Sequence, residues 1–247
     1  MNVKQWLLIG LGAVLVLVLF IFGRYTAEEE KTGLGTRSDG TKNTGLVSKA
    51  ENIADYKAEQ LAALPDSVRA DAIAFEDSLN SATVDSLKEQ WLLELEALWR
   101  SQKNNGMTAF YTEKLAALNQ NAATYTIAAD LYMGAYYNTR ENPAIKMYLR
   151  GAAIESYEAA LNLEPDNLET KVRLAAAHME GEGMEVMEKG VTPLLAVVEE
   201  DPDNLEANLI LGRFGIISGQ FEKAIGRLET VIAQEPNNVE ALLGLGE

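Results

Sequence analysis

Three proline-centred turns frame this chain: EPDN at 164–167, DPDN at 201–204 and EPNN at 235–238. Their prolines, Pro165, Pro202 and Pro236, stand 37 and 34 residues apart. Between them the apolar residues recur at intervals of three and four, the period of a helix face. Proline suits the position just past a helix end because it cannot continue the hydrogen-bond ladder. A stretch of this length that ends each time in such a stop is a helical hairpin repeated in tandem. A single hairpin leaves an apolar face open, so the next must stack on it.

The segment from Leu205 to Asn238 reads LEANLILGRFGIISGQFEKAIGRLETVIAQEPNN. Its first helix carries a large-small pair, Leu211-Gly212. Its second carries the small Ala224 and, one turn on, the large Leu228. Small residues at the crossing let two helices pack closely. With Pro236 and the turn Asn237-Asn238, this pattern resembles the tetratricopeptide repeat. Gly215, where that family often has an aromatic, and Val231, where it usually has alanine, depart from it. One repeat upstream, Leu174-Ala175, Gly190, Leu194 and Val197 fill the corresponding places. The additional residues there fall in GEGMEVMEKG. Thr192-Pro193 reads as an N-cap followed by proline at the first helical position, which starts the second helix near Pro193. Further up, Met133-Gly134 and Tyr137 match the first helix, and Ala153, Tyr157, Ala160 and Pro165 the second, with extra loop residues around TRENPAI.

The expected fold class is therefore all-α: a tetratricopeptide-type hairpin solenoid over 122–247, with repeats at about 122–167, 168–204 and 205–238 and a partial one at 239–247. That last piece, VEALLGLGE, repeats the opening of a first helix. Helices so short are marginal without a partner, so the expectation is that the sequence belongs to a longer repeat protein. Residues 47–121 read as divergent helical hairpins, broken at Pro65-Asp66-Ser67 and Lys103-Asn104-Asn105-Gly106.

Trp6 to Phe22 carries no charge. At helical rise such a run covers about 26 Å, close to the thickness of bilayer hydrocarbon. Trp6, Tyr25, Lys4 and Arg24 flank it as interfacial residues do. The GRYTAEEEK that follows is a poor signal-peptidase site. Residues 1–26 are thus expected to be a single transmembrane helix, and 27–46, rich in Gly, Thr and charge, a flexible linker. Flanking charge is nearly balanced. By analogy with signal anchors, the expected location is a bacterial inner membrane with the C-terminal domain on the periplasmic side.

Composition removes several chemistries. A formal net charge of −16 repels phosphate backbones, so nucleic acid is not an expected partner. There is no cysteine and one histidine, His178. Thiol catalysis, thiolate metal sites and multi-imidazole sites are excluded within one chain. His178 with Glu180, Glu182 and Glu185 reads as a helix C-terminus beside an acidic loop. The glycine-rich GEGMEVMEKG and GLGTRSDG lack the P-loop pattern. Trp91 and Trp99 share a helix face, read as core packing or an interface. No catalytic, cofactor or metal residue is assigned.

The family resemblance places a partner groove on the first helices: Leu131, Ala135 and Asn138, then Val172, Ala176 and Met179, then Leu209, Arg213 and Ile216. That row is mostly apolar and lacks a lysine/asparagine carboxylate clamp. It suits an amphipathic helix or an extended apolar peptide. The alternative occupant is the chain itself, through a helix from 47–80 or a further C-terminal segment. The repeats also resemble those of an ancillary subunit of the secretory translocon and of cytochrome c maturation subunits. This implies a membrane-anchored, non-catalytic scaffold binding protein, with a holdase for emerging polypeptides as the alternative.

Overall fold

Asparagine sets where most of the helices begin. The side chains of Asn104, Asn121, Asn142, Asn167, Asn204 and Asn238 each accept a hydrogen bond from a backbone N–H two or three residues on, at 2.9–3.1 Å. Each satisfies a donor that the first helical turn leaves unpaired. The computed structural model describes residues 49–140 and 142–246. The expected anchor at 6–22 and linker at 27–46 lie outside them.

The described residues form helices and no strand. In order they are α1 (Lys49–Ala63), α2 (Asp66–Ser81), α3 (Asp85–Ser101), α4 (Asn105–Asn119), α5 (Ala122–Asn138), α6 (Pro143–Leu163), α7 (Leu168–Met179), a π-helical turn (Val186–Val191) running into α8 (Thr192–Glu200), α9 (Leu205–Ile217), α10 (Phe221–Gln234) and α11 (Val239–Gly246). From α2 onward each helix packs on the next. The second helices α6, α8 and α10 each stop two residues before Pro165, Pro202 and Pro236. None of the described helices is long and apolar enough to cross a membrane.

Three cores follow one another along the stack. The first, from α1 to α7, is built on Leu95, Trp99, Met107, Tyr111, Tyr132 and Leu149. The second, from α7 to α9, centres on Val172, Leu194 and Leu211. The third joins α10 and α11 through Leu228, Val231 and Ala241. Trp99 is a core residue, whereas Trp91 is half-buried and packs on Phe75 of α2, ring centroids 5.7 Å apart.

Helix α1 does not complete a hairpin with α2. It crosses to the second helices, where Tyr56 stands 5.9 Å from the Tyr148 ring of α6 and fills the space over Gly106 of α4. Asn104 donates 2.7 Å to Gln60, and Lys57 pairs with Glu76. The Arg69 guanidinium closes the end of α1, donating to the carbonyls of Leu61, Ala62 and Leu64 at 2.9, 3.1 and 2.6 Å.

Three sequence expectations are corrected. In the 122–167 hairpin the small pair at the crossing is Ala128-Ala129, with Tyr132 the large residue beyond it; all three are fully buried. Met133-Gly134 lies a turn and a half further on, and Tyr137 is exposed. The extra residues lengthen α5 and α6 to 17 and 21 residues instead of the loop, because Asn142 and Pro143 start α6 at once. In the next hairpin Thr192 is no cap. Its backbone is helical and its hydroxyl donates 2.8 Å to the Met187 carbonyl, so the π-turn feeds α8 without a break.

Candidate protein-interaction groove

A cavity of about 280 Å³ lies among α5, α7 and α9. Asp130, Met133 and Tyr137 come from α5, Arg173, Ala176 and Ala177 from α7, Glu206 from α9, and Tyr157 from α6 behind them. Asp130 is the one charged residue in α5, and it organises this surface. The Tyr157 hydroxyl donates 2.6 Å to Asp130. One terminal nitrogen of Arg173 pairs with Asp130 and the other with Glu169. Burial, and then the bond to Asp130, push the Tyr157 hydroxyl far up.

Glu206 differs from these. It forms no hydrogen bond or ion pair among the described residues. Burial pushes its carboxyl above the usual range; Arg173 opposes the shift, and Glu169 and Asp130 add to it. At the far end of the groove Tyr137 and Tyr136 donate to Glu180 at 3.1 and 3.4 Å. The Tyr137 hydroxyl is pushed up to about 12, by burial first and then by Glu180.

Of the nine residues expected in the groove, Ala176 lines it. Val172 is 1% exposed and belongs to the second core, and Ala135 is buried as well. Ala135 and Asn138 instead border a separate cavity of about 240 Å³ with Tyr56, Asn104 and Gly106. Leu131 packs against the first core and Leu209 against the third. Met179 meets Gly190 of its own hairpin: a Cβ on Gly190 would lie 2.7 Å from its sulfur. Ile216 lies 3.1 Å from where a Cβ on Gly244 would stand, so α11 covers it. Arg213 is exposed and pairs with Glu240 of α11 at 3.0 Å. The groove's floor is therefore more polar than the expected row, with charged pairs linking successive first helices. The readable signal was Asp130, the lone charge in the otherwise uncharged α5.

His178 is buried and meets Glu185 through Nδ1 at 2.9 Å. Arg150 approaches both oxygens of that carboxylate, at 3.1 and 3.4 Å. The bond from His178, outweighing burial and helped by Arg150, holds the Glu185 carboxyl below its usual range. This triad ties α6 and α7 to the residue that leads into the π-turn. Among the described residues no three His, Asp or Glu side chains converge as metal ligands.

No protein-family model matches the sequence, and no curated protein matches it. Among solved structures the chain is similar to MamA, at 18% identity, covering 64% of this chain and 79% of that one, with a TM-score of 0.48. It is also similar to YrrB, described as a TPR protein with an unusual peptide-binding site, at 17% identity over 81% of this chain and 100% of that one, TM-score 0.37. The P58(IPK) TPR domain follows at 12% identity, 80% and 67% coverage, TM-score 0.35.

Proposed function

We propose that this chain is a non-catalytic tetratricopeptide-type scaffold that binds protein through its first-helix groove while held at a membrane by residues 6–22. One observation carries the binding half of this reading. Three consecutive first helices leave open a concave surface lined by Met133, Tyr137 and Ala176 and by fixed charges. Such mixed apolar and polar concavities suit extended or helical segments of another chain. The uncharged run from Trp6 to Phe22 supports the anchor. Tethering raises the effective concentration of a bound partner at the membrane, which fits an ancillary subunit of a translocation or biogenesis complex. The proposed location is a bacterial inner membrane, with the helical domain on the periplasmic side.

The test is photocrosslinking from a benzoylphenylalanine at position 137 in intact membranes, after an alkaline carbonate wash. The expected result is one crosslinked partner of fixed stoichiometry, with the protein retained in the pellet. A broad smear of unfolded clients supports the holdase instead. Loss of the protein to the wash removes the anchor from the proposal.

A further inference from the structure

We infer that α1 is a detachable strap: from Ile53 to Gln60 it lifts off α4 and α6 while the rest of the stack stays folded, and the seat it leaves keeps its shape. This stands apart from the groove on the first helices and gives the protein a second surface, covered by its own chain.

Between Ile53 and Ala63, Tyr56 is the one buried residue, whereas α6 beneath it buries seven. The polar ties of this arm are weak. The Tyr56 hydroxyl donates to Asn104 at 3.4 Å, on an oxygen already taken by the Met107 N–H at 3.0 Å. Lys57 pairs with Glu76, whose carboxylate also serves Tyr111, and a partly exposed pair of this kind contributes little. Space remains along the contact. A cavity of about 220 Å³ lies beside Ile53, among Phe110, Tyr125 and Tyr148. Another, of about 130 Å³, lies between Asp55 and Glu59 of α1 and Ala144 and Ile145 of α6. A third, of about 240 Å³, borders Tyr56 at Asn104 and Gly106. Atoms that face empty space lose the attraction of a neighbour, and elements with few buried apolar contacts open first. The trailing end is held differently. Leu64 is buried, and Arg69 of α2 donates to the carbonyls of Leu61, Ala62 and Leu64, so this end is the pivot. The seat does not depend on the strap. The Tyr148 ring stands edge-on to Tyr132, centroids 6.3 Å apart, and Phe110 stands edge-on to Tyr111 at 5.0 Å. Tyr132 and Tyr111 belong to the first core. Once uncovered, Gly106, Tyr148 and Phe110 form a ready notch for an aromatic ring carried on a helix, the shape that α1 itself fills.

Hydrogen exchange of the full chain in detergent micelles, followed by mass spectrometry, tests this. Amides from Ile53 to Gln60 should exchange about 100-fold or more faster than those of α5 and α6, through an opening that low urea hardly promotes. Tyr56→Ala should remove most of the protection left in α1 and leave α5 and α6 as they were. A fluorescein-labelled peptide of residues 49–64 then reports whether the seat is open. Read by anisotropy, it should bind the Tyr56→Ala chain about tenfold or more tighter than wild type, whose own strap competes in cis. The same peptide bearing Tyr56→Ala should bind neither chain. Exchange of α1 in step with α5 and α6, with equal urea dependence, overturns the inference. So does loss of protection in α5 and α6 of the Tyr56→Ala chain, or a peptide affinity that is the same for the two chains.

Discussion

The hydroxyl of Tyr56 occupies the space that a side chain on Gly106 would need: a Cβ there would lie 2.1 Å from the oxygen and 2.9 Å from the ring carbon that bears it. The first helix is thus seated on the fourth by the absence of a single carbon. Gly106→Ala should dislodge Tyr56 and cost about 1–3 kcal/mol, the usual range for overpacking. Hydrogen exchange should show α1 losing protection ahead of α9 and α10. Protection of α1 equal to wild type would mean that Tyr56 finds another seat at little cost.

Gly212 plays the same part at the other end of the stack. A Cβ on it would stand 2.7 Å from Leu228 Cδ2 and 2.9 Å from its Cγ, and Leu228 is itself buried. Gly212→Leu should destabilise the protein by about 1–3 kcal/mol or more. Glu222→Gln, on the exposed start of α10, should stay within about 0.5 kcal/mol. Urea melts of the two variants separate them, and coincident midpoints would refute the crossing.

Asp130 serves a buried hydroxyl as well as a surface guanidinium. Asp130→Ala leaves the Tyr157 hydroxyl without an acceptor and should cost about 1–3 kcal/mol. Asp130→Asn keeps an acceptor and loses the ion pair with Arg173, a partly exposed contact worth about 0–1 kcal/mol. The alanine variant should therefore melt clearly below the asparagine variant. The reverse order would show that charge, rather than the hydrogen bond, matters at this position.

Glu185 gives the domain an acid-sensitive joint. Its carboxyl lies below the usual value when folded, through His178 first and Arg150 after it. The unfolded state binds the proton more readily, so the carboxylate's contribution is complete above about pH 4.5 and is lost as pH falls through the folded value. Glu185→Gln should be less stable than wild type near neutrality. The two stability curves should converge below about pH 4.5. Parallel curves down to pH 3 would show that the ionised form is not favoured in the folded state.

The helix ends were the legible part of this sequence, because the signals are local. An asparagine before a helix and a proline after it act on their own backbone, and Asn167, Asn204, Pro202 and Pro236 need no distant partner. The crossing at Gly212 was legible for a related reason: a small residue in a row of large ones has few uses other than close approach. The pattern pointed to Met133-Gly134 and passed over Ala128-Ala129, a turn and a half earlier in α5. The choice was made by Asn121, which fixes the start of α5, and by Tyr132, which fills the core. The seat of α1 was hidden altogether. Lys103-Asn104-Asn105-Gly106 reads as a break, and nothing in it announces that Gly106 makes room for a tyrosine 50 residues earlier. The expected groove row assumed three equivalent first helices, and these three run to 17, 12 and 13 residues.

The seating of α1 also determines where a mechanical load would enter. A pull on its first turn is not delivered to the end of the stack, to peel helices away in order of sequence. It reaches α4 and α6 directly through Tyr56 and Tyr148, while Arg69 clamps the trailing end of the lever. Helix α2 is tied to the same lever through Arg69 and the Lys57–Glu76 pair. Tension from the N-terminal side should be borne without loss up to one abrupt release, with the hairpins carrying the groove still folded on the far side of the break.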